Sequence, residues 1–196
     1  MMTTIGIFVF DGAEELDWVG PWEVLTSWAQ GWPEDGVNVF TMSLHGDPVR
    51  CAKGLRAIPD HSLNDAPPID VLVYPGGRGT RDHLGDLRIR DWLHNEHERG
   101  TILTSVCTGS LVFADAGLLD NRPATTYWSA LDLMVGLGTN IEARPDDRWV
   151  DSGDIITAAG VSAGIDMALH LVRRLHSPER ARQVRRQIQY DPAPPV

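Results

Sequence analysis

The chain of 196 residues holds two cysteines, Cys51 and Cys107, in very different settings. Cys107 follows directly on the apolar run TILTSV at 101–106 and precedes TGSLVFADAG, which reads as a helix. A strand that turns straight into a helix leaves its turn residue at the carboxyl edge of the sheet, where open α/β folds bind ligands. The same residue sits at the positive end of the helix, where backbone N–H groups stabilise a thiolate and lower its pKa. Ser105-Val106-Cys107-Thr108-Gly109-Ser110 is therefore the cysteine counterpart of a nucleophile elbow, with a strained turn residue and with Gly109 giving the room that a tight turn needs. The chemistry expected is covalent catalysis by a thiol. The competing reading is a buried apolar cysteine, and the strand-to-helix placement favours the nucleophile. Cys51, in a hairpin-like stretch with no helix behind it, is given no catalytic role.

Attack on an unsaturated carbon also needs backbone donors aimed at the reacting centre. Pro75-Gly76-Gly77 ends the buried run before Cys107, so it would lie beside the cysteine on one sheet edge and could turn a free N–H toward it. A plain loop is the alternative. Trp18 and Trp22 near the start, with Tyr127 and Trp128 later, could line an apolar pocket for a small ligand, or serve as core or interface aromatics. His83 reads as a solvated surface side chain and His170 as a packing residue.

The elements that must position these residues alternate. Residues 4–10 (TIGIFVF) are β-branched and aromatic and stop at Asp11-Gly12, a turn signal. GPWEVLTSWAQ predicts a helix, with Pro21 near its start and Val24, Leu25 and Trp28 on its apolar face. Residues 37–44 read as a second strand, and 48–59 as a hairpin turning at Gly54. Residues 70–74 (DVLVY) and 101–106 are almost unbroken apolar runs, as a parallel sheet buried on both faces requires. Residues 87–99 predict an amphipathic helix. Residues 155–158 (IITA) are a short strand leading into a helix that carries Val161, Ile165, Ala168 and Val172 on one face. Ser177-Pro178 opens a last helix whose arginines, from Arg180 to Arg186, read as a solvated face. Without a repeat or an internal linker, 1–196 reads as one α/β domain built on a mostly parallel sheet.

Composition excludes several classes. A formal net charge of −10 opposes a phosphate-backbone binder. No run approaches the roughly 20 apolar residues of a membrane span. The acidic start does not resemble a signal peptide, and two cysteines imply no disulfide framework. The expectation is a cytoplasmic protein that binds neither nucleic acid nor membrane.

At this point GAEELDWVGPWEVL, VYPGG, TSVCTGSLVFADAGLL, RPATTYW, TAAGVSAGIDMALHLV and QYDPAPPV can be taken together. The chain resembles the ThiJ/PfpI superfamily, and within it the isonitrile hydratase (isocyanide hydratase) branch, from about residue 4 to the end. The resemblance implies a flavodoxin-like three-layer sandwich related to class I glutamine amidotransferases, a homodimer, and no metal or organic cofactor. It places the nucleophile on Cys107 with Thr108 next in the elbow. The acidic partner falls on Asp17, which by position alone would be a helix-start acid. Gly76 and Gly77 match the glycine-rich loop, and Val161 the branched residue packed over the cysteine. Many relatives read ATTHW where this chain has Ala124-Thr125-Thr126-Tyr127-Trp128, so Tyr127 replaces a histidine. With Thr108 after the cysteine, no Cys–His pair is visible, which argues against a papain-like peptidase.

The activity implied is hydration of isonitriles to N-substituted formamides, with Cys107 as nucleophile and Asp17 as general acid and base. Two alternatives keep the same cysteine: glyoxalase or deglycase chemistry on reactive aldehydes, and a redox sensor without turnover. Relatives fused to an AraC-type helix-turn-helix carry it where this chain stops, so no DNA reader is expected here.

Overall fold

The first strand, β1 (Thr3–Phe8), becomes the middle of the molecule because its side chains are apolar on both faces. The computed structural model describes residues 2–191, so the Pro192–Val196 part of the C-terminal motif lies outside the described residues. Along the chain follow α1 (Glu15–Gly31), β2 (Val37–Ser43), a hairpin of β3 (Val49–Arg50) and β4 (Arg56–Ala57), β5 (His61–Ser62) and β6 (Val71–Tyr74). Next come α2 (Thr80–His83), α3 (Leu87–Glu98), β7 (Ile102–Val106), α4 (Gly109–Asp115), β8 (Pro123–Ala124), α5 (Leu131–Leu137) and β9 (Glu142–Ala143). The chain closes with β10 (Trp149–Asp151), β11 (Ile155–Ala158), α6 (Ala163–Leu175) and α7 (Pro178–Gln187).

Seven strands form the central sheet in the order β10-β11-β7-β6-β1-β2-β5. Every pairing is parallel except β10 with β11. All four residues of β6 and all four of β11 are buried, as strands covered on both faces must be. Helices α1, α6 and α7 pack together on one face, and α4 packs with α2 and α5 on the other. The sheet is thus the middle layer of three. The order also places the site. From β1 the chain moves outward to β2, then returns to the other side of β1 as β6. The carboxyl ends of β1 and β6 therefore open a crevice, the place where such sheets bind ligands.

Several elements depart from the sequence reading. Helix α1 starts at Glu15, so Pro21 lies inside it rather than near its start. Proline has no N–H to offer the carbonyl of Asp17 one turn earlier. Its ring is accommodated by a glycine in α6: a Cβ at Gly164 would stand 3.2 Å from Pro21 Cγ. The buried face of α6 runs through Ala163, Gly164, Met167, Ala168, Leu171 and Val172. Val161 precedes this helix and Ile165 is only half-buried, so the expected stripe is rotated. Arg180 is not a solvated member of the α7 face. Its Nε donates to Asp35 at 2.6 Å, and Asp35 also accepts the Trp28 indole N–H at 2.7 Å, so this pair ties α7 to α1. Arg182, Arg185 and Arg186 are exposed, as read. Strands β5, β8, β9 and β10 and helix α5 had no apolar run or period long enough to announce them.

Candidate active site

Cys107 stands between β7 and α4 with φ of +55°, in the left-handed region. Side chains other than glycine avoid that region unless the surroundings hold them there. Here four polar contacts do so. Its N–H reaches the carbonyls of Ala158 and Ala159 at 3.1 and 3.0 Å. Its own carbonyl accepts the Thr126 hydroxyl at 2.9 Å and the Ser110 hydroxyl at 3.1 Å. The turn also needs Gly109, where a Cβ would lie 2.5 Å from the Tyr74 carbonyl oxygen. The elbow geometry expected from the strand–cysteine–helix sequence is present.

Asp17 occupies the first turn of α1 and is fully buried. Its Oδ2 accepts the Gly76 N–H at 2.9 Å, and the Cys107 thiol lies within hydrogen-bonding reach of the same carboxyl. Oδ1 accepts no hydrogen bond among the described residues. Burial raises the Asp17 pKa to about 7 against the opposing Gly76 and Cys107 contacts. Burial, followed by the charge of Asp17, pushes the Cys107 thiol up to about 12, although the Thr108 and Val161 backbone N–H groups pull it down. The expectation of a thiolate with a lowered pKa is therefore corrected. Desolvation outweighs the helix end, and the resting cysteine is a thiol. Between about pH 7 and 12 the pair holds one proton between sulfur and carboxyl.

The glycine loop acts differently from the expectation of a free donor. The Gly76 N–H is taken by Asp17 and the Gly77 N–H by the Thr108 hydroxyl at 2.9 Å. The amides that do face the sulfur are those of Thr108 and Val161. Val161 has φ of +46°, a strained state for a β-branched residue. Gly76 is needed for close approach, since a Cβ there would meet the Thr108 nitrogen at 2.5 Å and Asp17 Oδ2 at 2.9 Å.

Above the sulfur opens a cavity of about 590 Å³. It is lined by Cys107, Thr108, Gly77, Tyr127 and Val161, together with Glu14, Lys53, Arg78, Arg81 and Ser129. The last five were not singled out in the sequence, because no motif marks them; the loop after Gly76-Gly77 was the available signal for the two arginines. Trp18 and Trp128 do not join the pocket. Trp18 is buried in the core. Trp128 opens a short turn and is 72% exposed, its ring 5.6 Å from that of Tyr127 between centroids. Trp22 packs against the core.

His83 is neither at the cavity nor a solvated side chain. Its Nδ1 is 2.6 Å from the Tyr74 hydroxyl, inside an aromatic cluster with Phe8 and Phe10. His170 pairs with Asp151 at 2.7 Å and lies beside Trp149. Cys51 is buried away from the cavity. Among the described residues, no three metal-binding side chains converge, and no helix is long and apolar enough to cross a membrane.

Fold and site together define an α/β protein with a cysteine elbow set beside the switch point of a parallel sheet. The DJ-1/PfpI family pattern matches residues 3–174, and the chain belongs to that family. Isonitrile hydratase of Pseudomonas putida is 37% identical over 195 residues, spanning 100% of this chain and 82% of that protein. Glutathione-independent glyoxalase DJR-1.2 of Caenorhabditis elegans is 28% identical over 172 residues, 87% of each chain. A THiJ/PfpI family protein from Pseudomonas syringae superposes with a TM-score of 0.88 at 32% identity, covering 100% of this chain and 78% of that one.

Proposed function

We propose that this chain, acting as one domain over residues 1–196, hydrates isonitriles to N-substituted formamides as a cysteine-dependent lyase. The observation that carries this reading is the buried Asp17 carboxyl sharing a proton with the Cys107 thiol beneath an open cavity. The full-length similarity to isonitrile hydratase supports it.

The sulfur attacks the terminal carbon of R–N≡C. Its proton passes through Asp17 to that same carbon, giving the thioimidate R–N=CH–S–Cys107. Asp17, now a carboxylate, takes one proton from water as the oxygen adds to the thioimidate carbon, and passes it to the nitrogen. The tetrahedral adduct R–NH–CH(OH)–S–Cys107 collapses, the C–S bond breaks, and R–NH–CHO leaves as the proton of its hydroxyl returns to the pair. The Thr108 and Val161 N–H groups hold the sulfur as it gains and loses charge. No organic cofactor or metal takes part. A small-molecule substrate, a homodimer in the cytoplasm, and the absence of nucleic-acid or membrane partners belong to the same reading. The net charge of −10 supports the lack of nucleic-acid binding, and the exposed Leu55 and Ile58 beside β4 support a subunit contact.

The deciding experiment measures formamide formation from an aliphatic and an aryl isonitrile by wild-type protein and Cys107→Ala. Turnover that disappears in the variant is expected; turnover that survives removes Cys107 from the mechanism. A second reading, glyoxalase chemistry on small reactive aldehydes, is favoured by the similarity to DJR-1.2. It requires lactate from methylglyoxal, formed by the wild type and not by Cys107→Ala.

A further inference from the structure

The mouth of the Cys107 cavity is cationic, although the chain as a whole is acidic. Three cations line it: Lys53, Arg78 and Arg81. Lys53 is already neutralised, since its ammonium contacts the Glu14 carboxylate and lies 3.9 Å from Glu15. The two arginines are not. Among the described residues, Arg78 makes no ion pair or side-chain hydrogen bond, and Asp11 and Asp82, which line a neighbouring hollow together with it, are not paired with it. Arg81 Nη1 donates to the Gly77 carbonyl at 3.2 Å and the Thr80 hydroxyl at 3.0 Å, both uncharged acceptors.

Both guanidinium groups rise from backbone that is pinned. Gly77 bridges to Ala13, the Glu14 N–H reaches the Gly76 carbonyl at 2.9 Å, and the Gly79 N–H reaches the Gly12 carbonyl at 3.2 Å. Two uncompensated guanidinium groups, one on the glycine loop and one on α2, in a cavity also lined by Tyr127, match a ligand with an apolar body and a carboxylate at its outer end. Resting on the hydratase reading, we infer that the substrate is an isonitrile bearing a carboxylate, with Arg78 and Arg81 as the residues that select it.

The test compares 4-isocyanobenzoate with its methyl ester, and separately the binding of 4-formamidobenzoate and its methyl ester to Cys107→Ala by calorimetry. The acid should exceed the ester by about five- to tenfold in kcat/KM and in affinity, a preference that shrinks as salt rises. Arg78→Gln and Arg81→Gln should each reduce the ratio, and the double change to glutamate should invert it. Circular dichroism confirms that each variant folds. Equal turnover and equal binding of acid and ester overturn the inference and leave the hydratase reading standing. Salt-sensitive, arginine-dependent binding of the acid without turnover of either isonitrile upholds the anion subsite and overturns the hydratase reading. Neither turnover nor selective binding overturns both.

Discussion

Two buried pairs of titratable groups flank the end of β6, and they are built to opposite ends. On one side Tyr74 and His83 meet at 2.6 Å within the ring cluster of Phe8, Phe10 and Phe113. Burial raises the tyrosine well above its ordinary value and lowers the histidine, so both rest neutral, joined by one hydrogen bond. Neither residue has strained backbone. On the other side Asp17 and Cys107 are just as desolvated, but Oδ1 of the aspartate accepts no hydrogen bond among the described residues, the cysteine and the facing Val161 are left-handed, and a cavity opens above. Displaced proton affinity alone therefore does not distinguish a reactive pair from a structural one. Strain, an unfilled acceptor and an open face set apart the pair proposed as reactive.

The largest effect that would break this comparison is Asp17→Asn, expected to lower kcat/KM by about 100-fold or more, the usual cost of losing a positioned acid and base. An unimpaired rate in isonitrile turnover would place Asp17 with the structural pair. Next comes the pH profile. Because the one-proton state forms above the Asp17 pKa of about 7, log kcat/KM should rise with pH up to about 7 and then stay level into the alkaline range. A profile flat from pH 5 to 9 would sever reactivity from the pair.

A smaller effect sharpens the contrast through stability. The folded-state pKa of Asp17 lies above the ordinary aspartate value of 3.8. The stability it contributes is therefore full below about pH 4 and lost as pH rises through about 7. Asp17→Asn avoids charging a buried carboxyl and should raise the Tm at pH 8, its free energy of unfolding rising by an amount on the order of a few kcal/mol at most. Thermal unfolding of both proteins at pH 4 and pH 8 checks the sign. The smallest effect belongs to the other pair. Tyr74→Phe removes one hydrogen bond, worth roughly 1 kcal/mol of stability, and should leave kcat/KM within about twofold. A large kinetic loss there would mean that the two pairs communicate.

The elbow was legible because it follows local rules: an apolar run, a cysteine and a glycine-bearing helix start fix a turn at the sheet edge. The buried strands around it were legible for the same reason, and so were the Gly54 hairpin and the Ser177-Pro178 helix start. The direction of the Cys107 pKa was not legible. A helix end is visible in a sequence, whereas desolvation by burial and the nearby charge of Asp17 are properties of the packed molecule. The glycine N–H groups were misjudged similarly, since their acceptors, Asp17 and Thr108, arrive from other segments. The rim escaped notice because arginines on an exposed loop carry no pattern. Trp18 and Trp128 show the reverse error: aromatic type suggests a pocket wall, but the helix phase turned one into the core and a short turn sent the other outward.

The hydrogen bonds from the Cys107 N–H to the Ala158 and Ala159 carbonyls have a bearing on how the protein is made. A nascent chain that has not yet reached β11 contains Cys107 and Asp17 but lacks both those carbonyls and the Val161 amide. In that interval nothing holds the cysteine in its left-handed turn, and the thiol is an ordinary side chain on an unfinished polypeptide. The setting of Cys107 is thus conferred by about the last fifth of the sequence on a residue in the middle, and until that part is made the thiol ionises like any exposed cysteine, without the burial that pushes it up to about 12 in the folded protein.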